Sequence, residues 1–401
     1  MNIPKSLQLT RRKAVRTLAF LAYAAVLALI DHYVLGNSLG FLPYLIGPAV
    51  VGTVSLEDLR ANRLSSAAEY GLDTIQAALN RDLANTNTRI QDAISNLAAF
   101  TDDRQRVYGV GGQIIPTEVD EFGRARTKKD KADYTVGFPL RLYKSAVGWT
   151  TKFLEIATPA EIAEQYIRIR QGHVVKVGRE IARALYINDN YSFTDNLVDD
   201  VVVPVKRLVN ADSAAIPDSP GGATFDGATH DHYLARAGAL ANSDVDALVA
   251  HVTEHGHTRD VMIIINLADK SAIEALTGFV ALGDGGIMYN ATDVTVVKQD
   301  FSDLENQLIG YWRNTSVQIW VKPWAIDDYW LCFAGGGEEK LLAYRQRVQE
   351  SLRGLRLVAT LPNYPLVSDN FESEYGMGVW NRTAGAILYT GGTSWTDPTL
   401  P

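Results

Sequence analysis

Five of the seven histidines of this chain fall in one short stretch: His230, His232, His251, His255 and His257. Two of them, in His251-Val-Thr-Glu-His255, have the H-x-x-E-H spacing. On a helix this spacing turns two imidazoles to one face, where they can bind zinc while the glutamate acts as general base. Here the pattern sits on a last helical turn before Gly256, where a ligating pair is poorly held and where histidine is favoured by the helix dipole alone. A pattern with so few fixed positions is weak support for catalysis. His230-Asp-His232 offers two more imidazoles, but the sequence shows no third ligand beside them, and the Gly-rich stretch before them reads as a surface loop. The expectation is therefore no catalytic residues, no metal ligands and no cofactor. A zinc-dependent peptidase is kept only as the alternative from another class.

Other chemistry finds less support. Gly283-Asp-Gly-Gly286 and Gly335-Gly-Gly337 match neither a P-loop nor a dinucleotide fingerprint, and no G-x-S-x-G elbow is present. Trp312, Trp320, Trp324 and Trp330 could stack on bases, yet few basic residues lie nearby, so packing in a sheet is the expected use. The tip Arg124 to Lys131 is basic but interleaved with Asp120, Glu121, Asp130 and Asp133, a pattern better suited to salt bridges between subunits than to phosphate. The net charge of -8 likewise argues against a surface built to grip a phosphate backbone. The one cysteine, Cys332, excludes an internal disulfide and a Cys-based zinc site.

The elements around these residues have clear signals. Arg11, Arg12, Lys13 and Arg16 precede an apolar run from Leu18 to Ile30, short for a spanning helix of about 20 residues and read as a buried or subunit-contacting helix. Ser55 with Asp58 starts a helical region to Leu97 with Ile75, Leu79, Leu83, Ile90 and Ile94 in a stripe. Gln113 to Val119 and Tyr134 to Tyr143 favour strands and flank the charged tip, forming a long two-stranded arm. An isolated hairpin of that size is not stable in water, so the arm needs a neighbouring subunit to lie on. Thr158-Pro-Ala-Glu161 is a capping box with proline at the first helical position, opening a helix to about Tyr186 that contains Gly172 and Gly178. Ala211 to Gly227 is a loop. Beyond it, a helix led by Ser243 and Asp246, a buried strand at Val261 to Ile265 and a helix from Ser271 to Val280 are expected. Strands follow at Val294–Val297, Val317–Val321 and Asp327–Phe333, then a mainly extended segment from Leu355 to Tyr389.

A β-arm, a long helix, an α/β region and an extended end, in that order, resemble the Hong Kong 97-type major capsid protein of tailed double-stranded DNA bacteriophages. The stretches that carry the resemblance are Asp103-Arg-Gln-Arg-Val-Tyr-Gly109, Thr158-Pro-Ala-Glu161, Thr229-His-Asp-His-Tyr-Leu234, Glu254-His-Gly-His257 and Glu374-Tyr-Gly-Met-Gly-Val-Trp-Asn-Arg-Thr-Ala-Gly-Ala386. The resemblance implies an α+β capsid fold, divided as follows. Residues 1–54 are an N-terminal arm, 55–105 a helical region and 106–157 the E-loop hairpin. The spine helix and first part of the P-domain occupy 158–225, most of the A-domain 226–355, and the returning C-terminal segment 356–401. It also implies pentamers and hexamers of the chain in an icosahedral shell, assembled in the bacterial cytoplasm around DNA that is touched weakly and non-specifically. The expected partners are a separate scaffolding protein, a portal and a decoration protein, with no membrane. Lys128, Lys129 and Lys131 lie where some relatives form an arm cross-link, but no partner asparagine is assigned. An encapsulin-type nanocompartment shell is the alternative within the same fold.

Overall fold

The computed structural model describes residues 54–400, apart from 110–115, 117, 125–131, 209, 282–306, 314 and 338. The apolar run Leu18 to Ile30, Gly283 to Gly286, the strand expected at Val294–Val297 and the arm lysines lie outside the described residues. Among the described residues no helix is long and apolar enough to cross a membrane. The chain divides into two compact units, residues 1–79 with 156–163 and residues 80–155 with 164–401.

In the first unit the region opening at Ser55 is not one helix. α1 (Leu56–Ala61) begins at the expected capping box, with the Asp58 amide donating to Ser55 Oγ. It stops because the Asn62 side chain accepts from the Ser65 amide and hydroxyl, a local turn that competes with the helix. Ser66 then caps α2 (Ala67–Tyr70), and Gly71, at φ +96°, separates it from α3 (Leu72–Ile94). The Ala67 amide donates to the Ala157 carbonyl at 2.7 Å, tying the segments of this unit together. Thr158 and Glu161 form the reciprocal cap that opens the spine helix.

In the second unit α3 ends with Leu83, Ile90 and Ile94 buried and Arg81, Arg89 and Asp92 exposed, as the stripe predicts. β1 (Ala98–Thr101) follows. The arm begins with β2 (Gln105–Gly109), which pairs antiparallel with β3 (Ala132–Gly137). The strand expected from Tyr134 to Tyr143 is two strands. Phe138 and Pro139 interrupt it, since proline gives no ladder donor, and β4 (Arg141–Thr150) pairs instead with a strand near the C-terminus. A short helix, α4 (Thr151–Ile156), leads to the spine helix α5 (Pro159–Tyr186). Val177, Ile181 and Leu185 on α5 are fully buried. A Cβ at Gly178 would stand 3.1 Å from Trp324 Cβ, so a close neighbour accounts for that glycine; none is within 4 Å at Gly172.

β5 (Tyr191–Thr194) pairs with β6 (Val202–Val205). The α/β region then runs β7 (Tyr233–Ala235), α6 (Asn242–Thr253), β8 (Val261–Ile265), α7 (Lys270–Glu274), β9 (Phe279–Ala281), β10 (Gln307–Trp312), β11 (Gln318–Val321) and β12 (Tyr329–Ala334). The helix expected from Ser271 to Val280 ends at Glu274, and Val280 pairs in β9. The last strands are β13 (Leu342–Gln346), β14 (Arg356–Asn363), β15 (Leu366–Val379) and β16 (Gly385–Tyr389).

Seven strands form one sheet in the order β7-β16-β12-β8-β11-β10-β9. β12 is buried along its whole length, which requires apolar residues on both faces rather than alternation. Leu331 and Phe333 face a core shared with α5, while Trp330 and Cys332 face one shared with Val245, Leu248 and Val252 of α6. The second sheet is built around β15, which pairs with β14 and β4 over its first part and with β13 over its last.

Candidate functional site

The histidine cluster is assembled by three segments of the second unit. Asp226 holds the turn before β7: its carboxylate accepts from the Ala228 amide and the Thr229 hydroxyl, and its carbonyl from the His230 amide. β7 then pairs in parallel with β16, and the Ile387 amide donates to the His232 carbonyl at 2.9 Å. This register sets the His232 ring against the start of β16, with Nδ1 2.7 Å from the Gly385 carbonyl. The third segment is the end of α6. Gly256 adopts φ +86°, and a Cβ there would collide with the Pro220 ring, so glycine is required to turn the chain just beyond His255.

Three ring nitrogens meet at the centre. His230 Nε2 is 3.0 Å from His232 Nε2 and 3.1 Å from His255 Nε2, and the last two are 2.9 Å apart. Glu254 Oε1 lies 3.6 Å from His230 Nε2 and 3.8 Å from His255 Nε2. Phe225 closes one side, its ring centroid 4.2 Å from that of His255. His232 is fully buried and the His255 side chain is only 3% exposed. Burial lowers the pKa of His230, holds that of His232 well below the usual imidazole range and, with the neighbouring histidines, takes His255 down to about 3. The Gly385 carbonyl can only accept, so His232 carries its proton on Nδ1 and presents a lone pair at Nε2.

The expectation for these residues needs correcting. His230 and His232 do not stand alone on a surface loop: His255 supplies the third imidazole. No spacing rule signals it, because the parallel β7–β16 pairing and the end of α6 bring the residues together. The crowding of histidines in one stretch was the available hint. The H-x-x-E-H pair also divides differently from the peptidase pattern. His255 joins the trio, whereas His251 Nδ1 lies 3.2 Å from Glu254 Oε1. His251 still borders the centre, with ligand atoms of His230, His232, His251 and Glu254 all within 4.8 Å of one another. His257 turns away to the Thr383 hydroxyl at 2.9 Å.

Two of the four tryptophans are in the core, as packing in a sheet predicts: Trp312 and Trp330 are buried, and Trp312 Nε1 donates to Asp246 at 2.8 Å. Asp246 is thus not part of the helix cap. Asp244 accepts the Ala241 amide there instead.

The other notable surface is apolar. In the arm, Val107, Val119 and Phe122 are exposed, Phe122 at 90%. In the β14–β15 hairpin, Leu361, Tyr364 and Leu366 are exposed, Tyr364 at 87%.

Neither a protein-family model nor a curated protein matches the chain. Solved structures do. A chain of Mycobacterium phage Patience superposes with a TM-score of 0.59 at 20% identity, over 86% of this chain and 95% of that one. The capsid of an empty GTA particle gives 0.44 at 12% identity, over 75% and 90%. The holo-SrpI encapsulin of Synechococcus elongatus gives 0.39 at 12%, over 76% and 88%. The likeness to the Patience chain spans nearly its whole length and establishes a shared fold.

Proposed function

We propose that this chain, whose fold is of the Hong Kong 97 type, is the major capsid protein of a tailed bacteriophage. In this reading it assembles with copies of itself into an icosahedral shell around double-stranded DNA. The observation that carries the reading is the apolar surface left uncovered at the ends of two β-hairpins, around Phe122 and Tyr364. The β2–β3 ribbon is two-stranded, and such ribbons do not hold themselves together in water. β4 extends the β14–β15 pair, yet Tyr364 at its turn stays exposed, and exposed apolar side chains of this kind mark contact surfaces. A neighbouring subunit supplies what a local core would.

On this reading residues 106–157 are the E-loop, 158–225 open the P-domain, 226–355 make most of the A-domain and 356–401 return across both. The partners are further copies of the chain in pentamers and hexamers, with a separate scaffolding protein, a portal and a decoration protein. Its place is the virion capsid, put together in the host cytoplasm. The net charge of -8 suits a wall that encloses DNA without gripping it. The work is assembly and not catalysis.

Negative-stain microscopy of the purified full chain, alone and co-expressed with a scaffolding protein, tests the reading. Closed shells of uniform diameter are expected. Free monomers under both conditions would overturn it.

A further inference from the structure

We infer that His230, His232 and His255 form a binding site for one divalent transition-metal ion of the zinc class, with Glu254 placed for the fourth position.

The first argument is geometric. Tetrahedral zinc with Zn–N bonds of about 2.0–2.1 Å requires its nitrogens roughly 3.3–3.4 Å apart. The three Nε2 atoms stand 2.9–3.1 Å apart, so small ring rotations bring them to that spacing around one point. Glu254 Oε1, at 3.6 and 3.8 Å from two of them, is near enough to serve as a fourth donor.

The second argument is hydrogen bonding. An imidazole nitrogen has either one proton or one lone pair to offer in the ring plane, so three Nε2 atoms 2.9–3.1 Å apart cannot satisfy all three edges of a triangle. The His232 tautomer set by Gly385 already commits one lone pair to the centre. A buried cluster of imidazoles left in mutual conflict is costly, and a cation at the centre removes the conflict by accepting every lone pair at once. The His232–Gly385 bond is the outer contact that typically orients a metal-bound histidine.

The donor set selects the ion. Imidazole nitrogens suit zinc and its borderline neighbours, whereas magnesium and calcium take oxygen ligands in larger number. Four protein ligands would close the site, as in structural rather than catalytic zinc. The ion would then fasten the turn before β7 to the end of α6, two segments that backbone pairing alone does not join. This role does not depend on the shell reading.

The test uses the full chain. After exhaustive dialysis it is titrated with zinc ions alone, and bound metal is measured by mass spectrometry. One ion per subunit is expected. His230→Ala and His255→Ala should each weaken binding by more than the roughly 10–100-fold that loss of an outer contact costs. His257→Ala, which removes a nearby histidine outside the trio, should bind like the parent. If the trio variants fail to fold, cobalt ions bound to the unaltered chain still report: strong visible absorption of a tetrahedral ion supports the site. Weak octahedral absorption, less than stoichiometric zinc, or unchanged affinity in folded His230→Ala and His255→Ala would overturn it.

Discussion

The seven-stranded sheet and the two hairpins are made from the same kinds of residue but solve burial in opposite ways. In the sheet, β12 has α5 on one side and α6 on the other, and Trp330, Leu331, Cys332 and Phe333 are all buried within the chain. In the hairpins, among the described residues, β2 pairs with β3 alone and β14 with β15 alone, and Phe122, Leu361 and Tyr364 face solvent. Burying one such side chain is worth about 1.5–3 kcal/mol. The sheet collects that energy on folding, whereas on the proposed reading the hairpin ends collect it from another subunit. Substitutions in the first region should therefore act on folding, and those in the second on assembly.

The largest effect on folding is expected where the interior holds a charge pair. Arg345 donates to Asp195 at 2.7 Å and to the Phe138 carbonyl at 2.9 Å, and Asp195 is fully buried. Arg345→Met leaves the Asp195 carboxylate, among the described residues, with the longer contact to Arg104 at 3.3 Å. A loss of about 3–5 kcal/mol is expected, read from the urea midpoint; a loss no greater than that of an exposed substitution would contradict the reading of this pair, on β13 of the second sheet, as part of the interior.

Next comes a pH effect in the spine helix. Burial pushes His173, packed edge-on against Tyr375, down to about 4 from 6.5. Between these values the unfolded chain takes up a proton that the folded chain refuses. Stability therefore falls as pH drops from 6.5 toward 4, by up to about 3 kcal/mol from this group. His173→Gln should flatten that part of the stability profile relative to the parent, and an identical profile in the two proteins would count against the assignment.

The two spine glycines sharpen the comparison further. Gly172 has open space where a Cβ would go, and Gly178 faces Trp324. Gly172→Ala should raise stability by about 0.5–1 kcal/mol, visible as a higher Tm. Gly178→Ala should show no such gain. The smallest effect on folding is expected at the arm tip: Phe122→Ser should leave the unfolding midpoint within about 0.5 kcal/mol of the parent while lowering shell yield by sedimentation.

Much of this division was legible in the residues themselves. The Thr158–Glu161 cap, the apolar spacing to Leu185 and the continuous Val261–Ile265 run are local signals, and the structure places α5 and β8 where they point. The failures share a cause. Gly278 is a weak local sign against a helix from Ser271 to Val280, but that the helix stops at Glu274 so that Val280 can pair with β10 depends on a partner distant in sequence. Pro139 inside the expected Tyr134–Tyr143 strand is a local sign of the break between β3 and β4. The site was half visible: five histidines crowd one stretch, but the meeting of His255 with His230 and His232 depends on the β7–β16 register and the Gly256 turn. Motif spacing pointed to His251 with His255, and tertiary structure chose differently.

The central claim is that partner surface takes the place of a core at the hairpin ends. A cryo-electron microscopy reconstruction of assembled shells, resolved well enough to see side chains, tests it most directly. The account predicts that Phe122 and Tyr364 are both buried against neighbouring subunits. Shells in which both side chains remain in solvent would contradict it.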